Sequence, residues 1–238
     1  PTMQVQTDSL AIIRKGSEMQ TDTVNALTHV RVFGHISNQS QLATNFNGKV
    51  NVLFFDKQQT LTTKGNKLNT DGTPYTINYT DFPNVLFSGA ASVVDGQFSF
   101  DMIVPKDISY NYGAGRICYY AYDAENKYEA KGAYENFIIG GSSDSVIADT
   151  VGPEISLYLN TSSFRSGDQV NASPMFYAEV TDESGINAAG AGIGHDITLT
   201  VDGGDPVILN SYFSYSLGSC SSGRVDYSLS DLTNGRHT

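Results

Sequence analysis

The chain has 238 residues, 39% of them hydrophobic and 16% charged, which is enough for one large domain or two modest domains with real cores. Its net charge of −11 argues against nucleic acid and anionic membranes as partners, because an acidic surface repels phosphate groups. No apolar run approaches the roughly 20 residues that a membrane-spanning helix needs, so no membrane-spanning segment is expected.

The first 147 residues contain period-two alternation of apolar and polar side chains, which is typical of strands with one buried face. Helical periodicity is nowhere sustained, so the fold class is predicted to be all-β, with two tandem immunoglobulin-like β-sandwich domains. The predicted strands of this first β-sandwich domain are Thr2–Gln6, Thr28–Ile36, Val50–Phe55, Tyr75–Thr80, Val85–Val93, Gln97–Val104, Arg116–Tyr122 and Glu135–Ile139.

The clearest turn is Asp95-Gly96, which lies between two alternating runs and predicts a tight hairpin, since both residue types tolerate positive φ angles. In the strand that follows, one face should carry Phe98, Phe100, Met102 and Val104. Ile103 lies on the opposite face with Ser99 and Asp101, which predicts that this face is partly covered.

Residues 140–153 have the composition of a linker, GGSSDSVIADTVGP, and separate a first domain over 1–147 from a second over 148–238. The second domain is predicted to be an immunoglobulin-like β-sandwich, a fold that needs about seven strands. Its predicted strands are Glu154–Asn160, Met175–Thr181, Asp196–Val201, Pro206–Leu209, Tyr212–Ser216 and Arg224–Leu229. We expect this domain to be cut short at its C-terminus, where the chain ends just after a turn.

Several long segments resemble the region that follows the peptidase domain in gingipain-type cysteine peptidases, in particular the sortase of the Bacteroidetes type IX secretion system. These segments are GPEISLYLN, AEVTDESGIN and GIGHDITLTVDG in the second domain, and NFNGKVNVLFFDK and LFSGAASVVDGQFSFDMIVPKDISYNYGAGRICYYAYD in the first. The resemblance implies a parent enzyme that cleaves C-terminal sorting signals from secreted cargo and joins the cargo to surface lipopolysaccharide. It also implies that the catalytic Cys and His belong to a caspase-like domain upstream, which would be a partner of this region.

No group of residues here supports catalysis. Cys118 lies in an alternating strand pattern with no histidine near it in sequence, and Cys220 lies in a predicted loop, so neither has the positioned base that a thiolate nucleophile needs. Because the two cysteines fall in different predicted domains, no disulfide is expected between them. We therefore predict that this chain contains no catalytic residues, although the parent protein resembles a cysteine peptidase.

Metal and cofactor signals are weak, and no cofactor is predicted. His29 and His35 should share a strand face with Arg31 and Phe33, but zinc would need a third ligand. Asp182, Glu183 and Asp196 lack the spacing of a calcium loop. The glycines Gly190, Gly192 and Gly194 lack the spacing and the following helix of a dinucleotide site.

The rival function is carbohydrate binding or adhesion by a tandem β-sandwich surface protein, since exposed aromatic rings can stack on saccharides. The chain has 14 Tyr and no Trp. The tyrosine clusters are Tyr110/Tyr112, Tyr119/Tyr120/Tyr122 and Tyr212/Phe213/Tyr215, although tyrosines at alternating positions also pack sheets.

The resemblance assigns the chain to the extracellular side of the bacterial outer membrane, with outer-membrane secretion proteins as further partners. It also identifies candidate O-glycan acceptors, because Asp followed by Ser or Thr and an aliphatic residue is similar to the acceptor of that lineage. Four tripeptides match, and their hydroxyl residues are Ser9, Thr23, Ser145 and Thr150. The predicted role of the chain is to support the peptidase domain or to dock it, without catalysis.

Overall fold

The structure is a computed structural model that describes residues 3–14, 17–106, 108–142, 151–188 and 196–238. Within these residues the chain forms 20 β-strands and one short 3₁₀ helix, so the all-β prediction is confirmed. We call residues 3–142 the N-terminal segment and residues 151–238 the C-terminal segment. The division into two domains stays a prediction.

The N-terminal segment contains fourteen strands in its described residues. They are β1 (Met3–Arg14), β2 (Ser17–Thr21), β3 (Thr23–Ala26), β4 (His29–Asn38), β5 (Gln41–Leu42), β6 (Gly48–Phe55), β7 (Gln59–Thr62), β8 (Asn78–Asp81), β9 (Val85–Val93), β10 (Gln97–Ile103), β11 (Gly113–Ala114), β12 (Arg116–Asp123), β13 (Tyr128–Tyr134) and β14 (Ile138–Ser142).

The main sheet has the strand order β10-β4-β1-β13-β12-β6-β9, with β2 paired to β1 and β5 paired to β4. Its two end strands, β9 and β10, are consecutive in sequence and joined by the tight turn at Asp95 and Gly96. The sheet therefore curves back on itself. Inward-facing rings from opposite ends meet in its core, where Phe87 of β9 and Phe100 of β10 stack with ring centroids 5.7 Å apart.

The predicted Asp-Gly hairpin is confirmed. Asp95 has φ 50° and Gly96 has φ 76°, and the amide of Gln97 donates to the carbonyl of Val94 at 2.9 Å. The predicted inner face of β10 is also confirmed, since Phe98, Phe100, Met102 and Val104 are all buried.

The strand β13 was not predicted from the sequence. Its residues, YEAKGAY, include Glu, Lys and Gly, which have low β-propensity, and it forms because β12 pairs with it along its whole length. The strand predicted over Glu135–Ile139 begins later, at Ile138.

Two smaller sheets complete the N-terminal segment. One has the order β11-β14-β3, and the other is the hairpin of β7 and β8. Nearly all residues from Gln58 to Asp81 are exposed, so this hairpin projects from the body of the segment. We call residues 58–81 the projecting hairpin.

The C-terminal segment contains all six predicted strands, most of them shorter than expected. They are β15 (Glu154–Leu159), β16 (Met175–Thr181), β17 (Thr198–Leu199), β18 (Val207–Ile208), β19 (Phe213–Tyr215) and β20 (Ser222–Ser228). The first sheet has the order β15-β16-β20-β19, and β17 pairs with β18. The 3₁₀ helix, Asn210–Tyr212, leads directly into β19.

Buried side chains from both segments form one hydrophobic cluster. Within this cluster Phe54, Ile117 and Ile139 of the N-terminal segment are fully buried, and so is Val225 of the C-terminal segment. The core is therefore continuous from one segment to the other.

Candidate docking surfaces

The two segments meet where β19 lies against β9. The rings of Tyr215 and Phe87 stack with centroids 4.7 Å apart, and the amide of Gly218 donates to the carbonyl of Ala90 at 2.8 Å. The Tyr215 hydroxyl donates to the carbonyl of Ile186 at 2.5 Å, and burial raises the pKa of this phenol above its ordinary value. An apolar stack and the hydrogen bond from Gly218 to Ala90 thus join the segments, while the bond from Tyr215 to Ile186 lies within the C-terminal segment.

A second contact lies at the turn after β16. Gly185 has φ 94°, and a Cβ atom built on it would lie 2.6 Å from Cδ1 of Ile103. The backbone of this turn therefore packs directly on Ile103, which is half-buried. This contact explains why β10 carries an apolar residue on its outer face, and it confirms that the face is partly covered.

A cleft of about 330 Å³ runs beside the junction. Most of its lining residues are apolar or aromatic, and Ser88, Asn210 and Ser211 are polar. The remaining lining residues are Leu53, Pro83, Val85, Leu86, Phe87, Ala188, Phe213 and Tyr215.

Large apolar side chains are exposed on the projecting hairpin. Leu68 is 69% exposed, and the rings of Tyr75 and Tyr79 and the side chain of Ile77 are also exposed. Groups of exposed apolar residues commonly mark interaction sites. Sequence reasoning missed this surface, because it predicted only the strand Tyr75–Thr80 there and gave no sign that the whole hairpin lies away from the core.

A second exposed apolar surface lies on β15, the end strand of its sheet. Ile155 is 58% exposed and Leu157 is 63% exposed, although their cross-strand partners Val180 and Ala178 are buried. Because β15 pairs only with β16 among the described strands, its other edge offers unpaired backbone groups.

The outer face of β4 carries an ion-pair network. Arg31 binds Asp101 at 2.6 Å and Glu18 at 2.5 Å, and Nε2 of His29 lies 3.1 Å from Asp101. Burial acts to raise the pKa of Asp101, but the hydrogen bonds and charge of Arg31 outweigh it, so the pKa lies below its ordinary value. Nδ1 of His35, farther along the same face, lies 2.7 Å from Asp8.

The described residues contain no group of three or more His, Cys, Asp or Glu side chains placed to hold a metal ion. Asp182 instead caps its own turn by accepting a hydrogen bond from the amide of Ser184 at 2.8 Å. The glycines Gly190, Gly192 and Gly194 lie outside the described residues.

Both cysteines are free thiols in half-buried positions. Burial raises the pKa of Cys118, with a smaller opposing effect from Arg116. Burial also raises the pKa of Cys220, and the carboxylate of Asp101 raises it further. A raised pKa keeps a thiol protonated near neutral pH and so weakens it as a nucleophile.

The tyrosine clusters separate into buried and exposed rings. Tyr119 is buried and its hydroxyl lies 2.6 Å from that of Thr7, and Tyr215 is buried in the junction. Tyr110, Tyr112, Tyr120 and Tyr212 are exposed. The clusters named from the sequence therefore include both core rings and surface rings.

The candidate O-glycan acceptors do not lie together. Ser9 is half-buried in β1 and Thr23 is half-buried in β3, where its hydroxyl donates to the carboxylate of Asp22 at 3.0 Å. Ser145 and Thr150 lie outside the described residues.

Across the part of the chain that the structure describes, no helix has the length and apolar character needed to cross a bilayer.

Comparison with solved structures shows that the chain resembles a region of PorU. The crystal structure of dimeric latent PorU from Porphyromonas gingivalis matches the whole of this chain at 37% sequence identity, with a TM-score of 0.57. The chain spans 22% of the PorU chain. No protein-family model matches this chain, and no curated protein matches it.

Proposed function

We propose that this chain is the non-catalytic β-sandwich region of a cell-surface peptidase similar to the type IX secretion sortase, and that it holds the caspase-like peptidase domain in position. The observation that carries the proposal is the match to PorU, which covers all of this chain but only 22% of the other. The peptidase function, the cleavage of C-terminal sorting signals and the outer-membrane location belong to the proposed parent protein.

The state of the two cysteines supports a non-catalytic role. A cysteine peptidase needs a thiolate with a histidine in hydrogen-bond reach. The pKa values of Cys118 and Cys220 are raised by burial, and the groups that perturb them are arginine and carboxylates rather than histidine.

The junction supports a positioning role. A region that positions another domain must itself be rigid. Two packed contacts join the segments here, the stack of Phe87 on Tyr215 and the contact of Gly185 with Ile103. Rigid placement of one domain by another requires such packed contacts, because a flexible linker alone permits relative motion.

The exposed apolar surfaces supply contacts for the peptidase domain. Leu68 on the projecting hairpin and Leu157 on β15 are each more than half exposed. This chain matches 22% of the PorU chain. We therefore assign the rest of such a parent protein as the partner that covers these two surfaces.

The experiment is a peptidase assay on the purified chain with peptides that contain Arg or Lys. We expect no hydrolysis, and we expect Cys118→Ala and Cys220→Ala to behave like the unaltered chain. Hydrolysis that disappears in Cys118→Ala would overturn the non-catalytic assignment.

A further inference from the structure

Two tyrosines of β12 face outward from the main sheet. The rings of Tyr120 and Tyr122 have centroids 6.3 Å apart and planes inclined by 29°. Tyr120 is 45% exposed and Tyr122 is half-buried. The inward-facing residues between and beside them, Tyr119 and Ala121, are buried, so the packing of the core does not account for the outward pair.

Hydrogen-bonding side chains flank both rings. Tyr122 is directly opposite Lys49 of β6 and Glu129 of β13, while Tyr120 is directly opposite Asn51 and Lys131. All four flanking residues are exposed. Interaction with Glu129 raises the pKa of the Tyr120 phenol above its ordinary value. Directly opposite residues share one face of a sheet, about 5 Å apart, so the polar groups border the rings.

On the β9 side the next positions outward hold small side chains, whereas Gln4 of β1 lies opposite Lys131 on the other side. Lys49 is opposite Ser92 and Asn51 is opposite Ala90 on β9, and Ala133 follows Lys131 on the same face of β13. The side chains at these positions on β9 are therefore shorter than the two tyrosine rings.

The charge of this surface differs from that of the whole protein. Two lysines and one glutamate border the rings, in a chain whose net charge is −11. A local excess of positive charge on an acidic protein favours a ligand that carries negative groups. Nucleic acid also has aromatic faces and negative charge, so an oligonucleotide is the competing ligand in the test.

We propose that Tyr120 and Tyr122 form a platform for a linear oligosaccharide that contains acidic units, bordered by Lys49, Asn51, Glu129 and Lys131. The apolar faces of the sugar rings stack on the two tyrosines, because sites for such ligands combine an aromatic surface with a few placed polar groups. The lysines bind the sugar carboxylates, and Asn51 binds hydroxyl groups. The proposal does not depend on the peptidase assignment.

The test is titration calorimetry of the whole chain with hexagalacturonate as the acidic probe and cellohexaose as the neutral one. We expect hexagalacturonate to bind more tightly. Tyr120→Ala and Tyr122→Ala should each weaken binding about tenfold, the equivalent of about 1.4 kcal/mol. Tyr110→Ala and Tyr112→Ala are matched controls, since both rings are exposed elsewhere on the same segment, and these variants should bind as the unaltered chain does.

The lysines are tested separately. Lys49→Met and Lys131→Met should remove the preference for hexagalacturonate while cellohexaose affinity stays the same. Far-ultraviolet circular dichroism and a melting curve for each variant show that it is folded. The proposal is wrong if the unaltered chain binds neither hexasaccharide or binds both with equal affinity. It is also wrong if Tyr120→Ala and Tyr122→Ala bind hexagalacturonate with the affinity of the unaltered chain. Tighter binding of an oligonucleotide than of hexagalacturonate would also overturn it.

Discussion

Phe87 of β9 and Tyr215 of β19 stack face to face with ring centroids 4.7 Å apart, although 128 positions separate them in the chain. Tyr215 packs edge-on against Phe213 as well, with centroids 5.0 Å apart. Burial of three aromatic rings in one place removes a large apolar area from water, so this junction should stabilise both segments at once.

Tyr215→Ala should therefore lower the free energy of unfolding by about 3 kcal/mol or more, the usual cost of truncating a buried aromatic ring. The unaltered chain should unfold in one cooperative transition in urea, monitored by circular dichroism. Tyr75→Ala on the projecting hairpin is the control, and because its ring is exposed it should cost less than about 1 kcal/mol. Two separate transitions in the unaltered chain would contradict a shared core.

Gly185→Ala should destabilise the chain more than Gly167→Ala. Both glycines have φ near 100°, at 94° and 100°, so the backbone strain of an alanine is similar at the two sites. Only at Gly185 would the added Cβ meet a neighbour, Ile103, whereas Gly167 has open space around it. The difference in free energy of unfolding between the two variants should be about 1–3 kcal/mol, the usual cost of overpacking. Equal values would show that the turn does not pack on Ile103.

Asp123 should make stability depend on acid pH. Its carboxylate accepts hydrogen bonds from the side chain and amide of Asn126 and from the amide of Asn47, and these lower its pKa from 3.8 to about 2. Because the folded-state pKa is the lower one, the stabilisation is complete above about pH 4 and is lost as the pH falls towards 2.

Asp123→Asn should accordingly lower the melting temperature at pH 7 and reduce its dependence on pH between 4 and 2. Asp205→Asn is the control, since Asp205 is exposed in a loop. If the melting temperatures of Asp123→Asn and of the unaltered chain change equally with pH between 4 and 2, then Asp123 does not organise this turn.

We propose that the O-glycan acceptors are used unequally. Ser9 is half-buried within the main sheet, so a glycan there would have to displace packed neighbours, whereas the tripeptides at Ser145 and Thr150 belong to the sequence with linker composition. Mass spectrometry of peptides from protein isolated from its native cell envelope should find glycan mass on the peptide with Ser145 and Thr150 and none on Ser9. An unmodified mass for the peptide that carries Ser145 and Thr150 would end the proposal.

Local patterns predicted the bounds of two strands and the geometry of one turn. The strands β9 and β16 have the predicted bounds, and the turn at Asp95-Gly96 has the predicted geometry. In each case the information lies within a few neighbouring residues, because the period-two pattern and the φ angles of turns are local properties.

Features that depend on distant residues were not predictable in the same way. The strand β13 forms through pairing with β12, and the stack of Phe87 on Tyr215 joins residues far apart in sequence. Ile103 is the exception, since one apolar residue on a polar face indicated that something covers it. The sequence did not show that the cover is Gly185, because a glycine without a side chain carries no hydrophobic signal.

The most direct test of the proposed function measures binding between this chain and a caspase-like peptidase domain of the gingipain type, made as a separate polypeptide. Titration calorimetry should show a one-to-one complex. Leu157→Lys and Leu68→Lys should identify which exposed apolar surface takes part, because a lysine there places charge against an apolar contact. Ser92→Lys, on an exposed strand position of the main sheet, is the control. We predict that the unaltered chain binds the peptidase domain, that one or both leucine variants bind it more weakly, and that the Ser92→Lys control binds it with unchanged affinity. Absence of binding by the unaltered chain would contradict its role as the support of the peptidase domain.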